Sequence, residues 1–216
     1  MEVDVKVAQL LCSRLCHDIV SPIGAVNAGV ELIEEGGDAD GRAMGLIATS
    51  AGEAARRLAF FRVAFGVGAG VQGSAPLMDA RTLAVDFLKG GKAALDWPDD
   101  ADINDVPVPS NAAKVVLNMV LIASESLPRG GTVGVHVRPL NDGVGVAVVA
   151  AGAGARLRDD VRMALAGDAA GDELTARNVH GHYAQCLARA LGGAIETDEG
   201  TADEVHLAAL FPAGPG

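Results

Sequence analysis

The opening 67 residues constrain the fold more than any other part of the chain. From residue 5 to residue 67 there is no apolar–polar alternation of strand period, and only Glu35-Gly36-Gly37-Asp38 interrupts a helical pattern. After that break, Met44, Ile47, Ala51, Ala54, Leu58, Phe61 and Phe65 step by three and four residues, which sets them along one seam of a helix. Before it, Leu11, Leu15, Ile19, Ile23, Val26, Val30 and Ile33 form a matching stripe. Two helices with one seam each cannot enclose a core. A second copy of the hairpin would bury both stripes in a four-helix bundle. The alternative is that the hairpin packs on the rest of the chain.

The stretch Gly66-Val67-Gly68-Ala69-Gly70-Val71-Gln72-Gly73-Ser74 suits neither helix nor strand. It sets a boundary between a helical hairpin, residues 1–68, and a second domain, residues 74–216. In the second domain Ser110 is placed to cap a helix through Val115, Val116, Met119 and Ile122 that ends near Pro128. Thr132–Val137 and Val144–Val149 are valine-rich strands around the turn residues Asn141-Asp142-Gly143. A further helix is expected over Leu174–Leu191, stopping at Gly192-Gly193, and Ala194–Thr197 and Glu204–Phe211 complete a sheet. Helices on one face of a largely antiparallel sheet make a two-layer sandwich, so the fold class is α+β.

Charge and composition remove several functions. With 17 basic against 28 acidic residues the formal net charge is −11, which disfavours binding to nucleic acid or to anionic lipid. No apolar run approaches the roughly 20 residues needed to span a bilayer, and the first residues lack a signal-peptide layout. Three cysteines do not make a disulfide framework. A cytoplasmic protein is expected. Five Phe, one Trp and one Tyr are too few to dominate a core, which must be built from Ala, Val and Leu.

His17 is the residue on which a functional reading turns. At about 100° per residue, the apolar stripe of the first helix centres opposite it, so the imidazole points outward. Arg14, Ser21, Gly24, Ala25 and Ala28 share its face, and their mostly small side chains leave room for another protein. A nucleophilic imidazole needs one ring nitrogen protonated and held while the other presents a lone pair. Asp18 is placed to do this, or to take the proton during attack. Pro22 removes a helix hydrogen bond one turn later and is expected to bend the helix there.

The segment His17-Asp18-Ile19-Val20-Ser21-Pro22 resembles the phosphoacceptor box H-[DE]-x-x-[ST]-P of sensor histidine kinases at every fixed position. In that family the box sits on the first helix of a dimeric hairpin, followed by an ATP-binding α/β sandwich. The order of elements in the second domain is similar to this histidine kinase ATP-binding (GHKL/Bergerat) fold. The nucleotide motifs, however, depart from it. Where the helix motif N-x-x-x-N-A has its second asparagine, Asn118-Met119-Val120-Leu121-Ile122-Ala123 has Ile122, which offers Mg²⁺ no oxygen. Where D-x-G-x-G has its aspartate, Ala151-Gly152-Ala153-Gly154 has Ala151. Asn178-Val179-His180-Gly181-His182 stands near the position of the lid without its repeated glycines.

A kinase-like hairpin followed by a degenerate ATPase-like domain resembles the ChpT-type histidine phosphotransferases over nearly the whole chain. The resemblance implies a homodimeric relay rather than an ATP-dependent kinase. The phosphoryl group would pass through His17 from the receiver domain of a CckA-type hybrid histidine kinase to response regulators of the CtrA and CpdR type. It further implies no cofactor of the protein's own, since the receiver brings Mg²⁺. Asp18 is the expected helper, and helix geometry adds Arg14, Ser21, Gly24 and Ala28 as receiver contacts. The competing readings are an active kinase with an atypical ATP site and a dimeric scaffold or kinase inhibitor. Other features have plainer readings. Cys12 and Cys16 are expected to be small packing residues, and C-x₃-C-H is one residue too long for haem attachment. His180, His182 and His206 have no carboxylate at a telling spacing, and Asp159-Asp160 is expected to open a solvated helix.

Overall fold

Residues 5–36, 41–66, 76–99, 108–109, 111–167, 173–198 and 202–212 are described by a computed structural model. The helical pattern of the first 67 residues becomes two long helices, α1 (Val5–Glu34) and α2 (Arg42–Ala64). They pack against each other along their length as a hairpin. The two helices come close at Gly29. A Cβ there would lie 2.6 Å from Ile47 Cγ1 and 3.2 Å from the Ala43 carbonyl oxygen, so only glycine fits without displacement. The buried line of α2 runs through Ala43, Ser50 and Ala54, one position off much of the expected seam. Small residues win there because they let the backbones close up. Met44 and Leu58 are left 56% and 46% exposed, and Ile23 and Val30 of α1 are also exposed, so one chain covers its two apolar stripes only in part.

The second part comprises α3 (Pro76–Leu88), β1 (Ala93–Asp96), α4 (Ala112–Glu125), β2 (Gly131–Leu140), β3 (Gly143–Ala151), α5 (Asp159–Ala166), α6 (Val179–Ala190), β4 (Ile195–Asp198) and β5 (Glu204–Pro212). The sheet order is β1-β2-β3-β5-β4, with β1 parallel to β2 and the other pairs antiparallel. Val144, Val146, Val148 and Ala150 of β3 point into the core with Val205, Leu207, Ala209 and Phe211 of β5, as period-2 patterning requires. Eleven of the 14 residues of α4 are buried, because it lies between the sheet and the helices α2, α3 and α6. A helix apolar all round belongs in such a place.

Three sequence expectations change in detail. Ser110, the expected cap of α4, lies outside the described residues, and Asn111 occupies the N-cap without a side-chain cap bond. The helix expected from Leu174 begins at Val179. Asn178 delays it: its Oδ1 accepts from the Thr175 backbone N–H at 2.8 Å, and its Nδ2 donates to the Glu173 carbonyl at 3.1 Å, stabilising a turn instead. The glycine-rich boundary lies largely outside the described residues, yet the core is continuous on both sides of it. Phe60, Phe61, Val63 and Ala64 of α2 belong to the same apolar cluster as Leu77, Ala80 and the buried face of α4.

That junction is built with some care for the end of α2, whose last carbonyls have no partner inside the helix. Asn118 Nδ2 donates to the Ala64 carbonyl at 3.1 Å, Lys114 Nζ to that of Gly66 at 2.8 Å, and Tyr183 Oη to that of Phe65 at 3.4 Å. Most of the chain's few aromatic rings gather here. Phe60 stacks on Phe87 with centroids 4.0 Å apart, and Phe65 meets Phe61 and, edge to face, Tyr183. The sandwich core is aliphatic, as its composition requires, while the seam between hairpin and sandwich is aromatic.

Candidate functional site

His17 lies midway along α1, and its side chain is 83% exposed. Its Nδ1 is 3.1 Å from Asp18 Oδ1. Consecutive helical residues do not ordinarily face each other, so the aspartate must be turned back towards the histidine. Arg14 provides the reason. One turn earlier on α1, its Nε donates to Asp18 Oδ2 at 2.8 Å, fixing one carboxylate oxygen and leaving the other for the imidazole. A carboxylate can only accept, so this pair favours the tautomer with the proton on Nδ1 and the lone pair on Nε2. Pro22 sits inside α1, which continues through it, and supplies no N–H to the Asp18 backbone carbonyl.

Ser21, Gly24 and Ala28 are exposed, as helix geometry predicts. Around Gly24 a Cβ would meet nothing within 4 Å, so this face is open. Arg14 does not join them. It is buried, 8% exposed, because its long side chain leaves the helix surface and reaches Glu125 at the end of α4, to which its Nη2 donates. A guanidinium between two carboxylates is better satisfied there than in water. As a residue on the open face, Arg14 is therefore corrected.

Glu125 and His180 were missed by sequence reasoning. Glu125 closes an apolar helix 111 residues from Arg14, and no local pattern marks the pairing. Nor was His180 without a carboxylate: its Nε2 lies 3.3 Å from Glu125 Oε2, and its side chain is 0% exposed. Burial alone would raise the pKa of Glu125, but contact with His180 and then the Arg14 charge outweigh it and hold the carboxyl at about 2. Burial alone would lower the pKa of Arg14, and Glu125 and then Asp18 reverse this and raise it. His206 also has a carboxylate, Glu204 Oε2 at 3.0 Å from its Nε2 across one strand face. Cys12 and Cys16 are exposed rather than packed. Asp159 and Asp160 do open a helix, α5.

The positions that would serve a nucleotide in the kinase fold hold other groups. Ile122 is 1% exposed and part of the apolar core. Asn118 donates its amide N–H groups to the carbonyls of Ala64 and Lys114, while its Oδ1 has no hydrogen-bond partner among the described residues. Gly152 and Gly154 form a turn closed by Asp203, whose backbone carbonyl accepts from Gly152 N and whose Oδ1 accepts from Gly154 N at 2.6 Å. Between α4 and α5, Ile122, Glu125, Ser126, Leu157, Arg158 and Val161 line a cavity of about 10 Å³, room for one water at most. Asn178–His182, near the lid position, includes the start of the packed helix α6. Among the described residues no cluster of three or more His, Cys, Asp or Glu side chains is arranged to hold a metal ion. No described helix is long and apolar enough to cross a membrane.

Comparison with known proteins bears on the whole chain. A sequence profile of the histidine phosphotransferase C-terminal domain matches residues 77–203. The protein phosphotransferase ChpT of Brucella abortus (strain 2308) is 35% identical over 200 residues, which is 93% of each protein. A solved structure described as a bacterial phosphotransferase superposes with a TM-score of 0.82 at 35% identity, covering 97% of this chain and 98% of that one. The histidine kinase AdeS of Acinetobacter baumannii aligns at TM-score 0.51 and 11% identity, over 92% of this chain and 98% of its own. The histidine kinase domain of EL346, a blue-light-activated kinase of Erythrobacter litoralis, does so at 0.51 and 12%, over 96% of this chain and 90% of its own. At such identities the kinases share the fold alone.

Proposed function

The chain belongs to the histidine phosphotransferase family, and from that premise we propose that it relays a phosphoryl group through His17 between receiver domains. The donor is the receiver of a hybrid histidine kinase, the recipients are response regulators, and the phosphoryl group never comes from ATP. The observation that carries the reading is the exposed imidazole with Nδ1 against a carboxylate and Nε2 turned outward.

The chemistry balances without an added base. The Nε2 lone pair attacks the phosphorus of the receiver's aspartyl phosphate, a P–N bond forms, and the P–O bond to the aspartate breaks, releasing a carboxylate. The imidazole keeps its Nδ1 proton and becomes cationic, and Asp18 neutralises that charge. In the second transfer another receiver's aspartate attacks the same phosphorus, the P–N bond breaks, and neutral His17 is restored. A loose transition state of this kind asks chiefly for positioning and charge neutralisation. Mg²⁺ comes with each receiver, and the protein needs no cofactor of its own. Ser21, Gly24 and Ala28 form the face on which a receiver docks. The uncovered apolar positions Ile23, Val30, Met44 and Leu58 support a homodimer through the hairpin, acting in the cytoplasm.

The ATP arm is the discriminating test. Ile122 and Ala151 supply neither the metal ligand nor the adenine carboxylate that a kinase needs, and each lost charge-assisted bond costs about 1.5–3 kcal/mol. Calorimetry with Mg-ATP should show no binding below millimolar concentrations. A micromolar dissociation constant, or labelling of His17 by ATP alone, would make the protein a kinase.

A further inference from the structure

Four side chains connect the exposed histidine to the interior of the sandwich. Asp18 of α1 holds His17 with Oδ1 and accepts from Arg14 Nε with Oδ2. Arg14 Nη2 donates to Glu125 Oε1 at the end of α4, and Glu125 Oε2 faces His180 Nε2 of α6. We propose that Glu125 is a positioning residue for the phosphoryl-accepting histidine: it holds the far end of the Arg14 guanidinium and so keeps one oxygen of Asp18 free for His17 Nδ1. This rests on the reading of His17 as the phosphorylated residue.

Arg14 and His17 compete for a single carboxylate, that of Asp18. A guanidinium with one carboxylate in reach pairs with both of its oxygens, the fork geometry that arginine favours. Arg14 does not do so here. It is stretched between two carboxylates and gives Asp18 only Nε. Without the charge at Glu125, the nearest anion for both arms of Arg14 is Asp18. Oδ1 would then turn from the imidazole to the guanidinium, and His17 would lose the acceptor that fixes its proton on Nδ1.

Glu125 is itself well anchored. It ends a helix of which eleven residues are buried, so its backbone has little freedom. Its second oxygen lies against a histidine that is fully buried and whose ring nitrogens have no aligned hydrogen-bond partner among the described residues. Arg14 of α1 and His180 of α6 lie against it, and Arg158, just ahead of α5, lines the same small cavity. The sandwich thereby reaches the reacting nitrogen through three side chains, although none of them touches the incoming phosphoryl group.

The test is Glu125→Gln, which keeps shape and removes charge, read by ¹⁵N NMR of the His17 ring and by transfer from a phosphorylated receiver domain. The wild-type ring should carry its proton on Nδ1. In the variant the proton should shift towards Nε2, and transfer should slow by about tenfold or more, part of the roughly hundredfold a positioned acid–base group supplies. The double variant Arg14→Met/Glu125→Gln removes the competitor as well. It should return the Nδ1 tautomer and recover part of the rate, and it carries the test if the single variant fails to fold. A folded Glu125→Gln protein with wild-type tautomer and rate would overturn the proposal. So would a double variant whose His17 proton stays off Nδ1. Failure of wild type to accept label would instead count against the relay reading, while the tautomer measurement still decides the role of Glu125.

Discussion

Replacing Glu125 by glutamine also yields a quantitative prediction about stability. In the folded chain its carboxyl titrates at about 2 against an ordinary value of 4.5. At about 1.4 kcal/mol per unit this difference is worth about 3 kcal/mol of folding free energy at neutral pH. That agrees in size with the about 3–5 kcal/mol lost when one member of a buried ion pair is removed. The folded-state pKa is depressed, so the stabilisation is complete above about pH 5 and disappears as pH falls through about 2. By pH 3 about 2 kcal/mol of it should be gone. Urea unfolding of wild type and variant at pH 7, 5 and 3 measures this directly, provided the slopes agree. The two proteins should differ by about 3 kcal/mol at pH 7 and pH 5, and by about 1 kcal/mol at pH 3. A difference that is the same at pH 3 as at pH 7 would show that the effect is not electrostatic. A variant as stable as wild type at pH 7 would show that the cluster contributes nothing.

Four further outcomes are expected. Leu58→Asp, at an apolar position 46% exposed in the single chain, should abolish the proposed homodimer while leaving helix content unchanged, read by sedimentation and circular dichroism. Gly45→Ala, with nothing within 4 Å of the new Cβ, should stabilise the protein by up to about 1 kcal/mol through helix propensity. Gly29→Val, whose Cβ falls 2.6 Å from Ile47 Cγ1, should destabilise it by about 1–3 kcal/mol through overpacking, both measured by urea unfolding. Asp18→Asn should retain the fold but slow phosphoryl transfer about hundredfold, measured by the rate of label uptake from a phosphorylated receiver.

Much of this was legible because it is local. The stripes of α1 and α2 declare themselves at helical spacing, the strands β2, β3 and β5 by their alternating valines and leucines, and His17 with Asp18 by adjacency. The less legible parts have physical reasons. β1 is only Ala93–Asp96 and contains no β-branched residue, so no strand signal rises above its neighbours. The start of α6 depends on Asn178, whose side chain favours a turn over the helix that the apolar pattern suggests. The direction of Arg14 could not be read from the helical wheel, because a wheel gives the direction of Cβ and not the reach of a long side chain. Its partner Glu125 lies on another element, and only the packing of α6 against both α1 and α4 brings it and His180 into the site.

Following a labelled phosphoryl group decides whether His17 is the relay residue. A purified receiver domain, phosphorylated on its aspartate and freed of ATP, is mixed with wild type and with His17→Ala. Wild type should take up acid-labile, base-stable label within the mixing time of the experiment and pass it to a second, unlabelled receiver. His17→Ala should take up none while remaining folded. Equal labelling of both proteins, or no labelling of wild type by any phosphorylated receiver, would contradict the assignment of His17 as the relay residue.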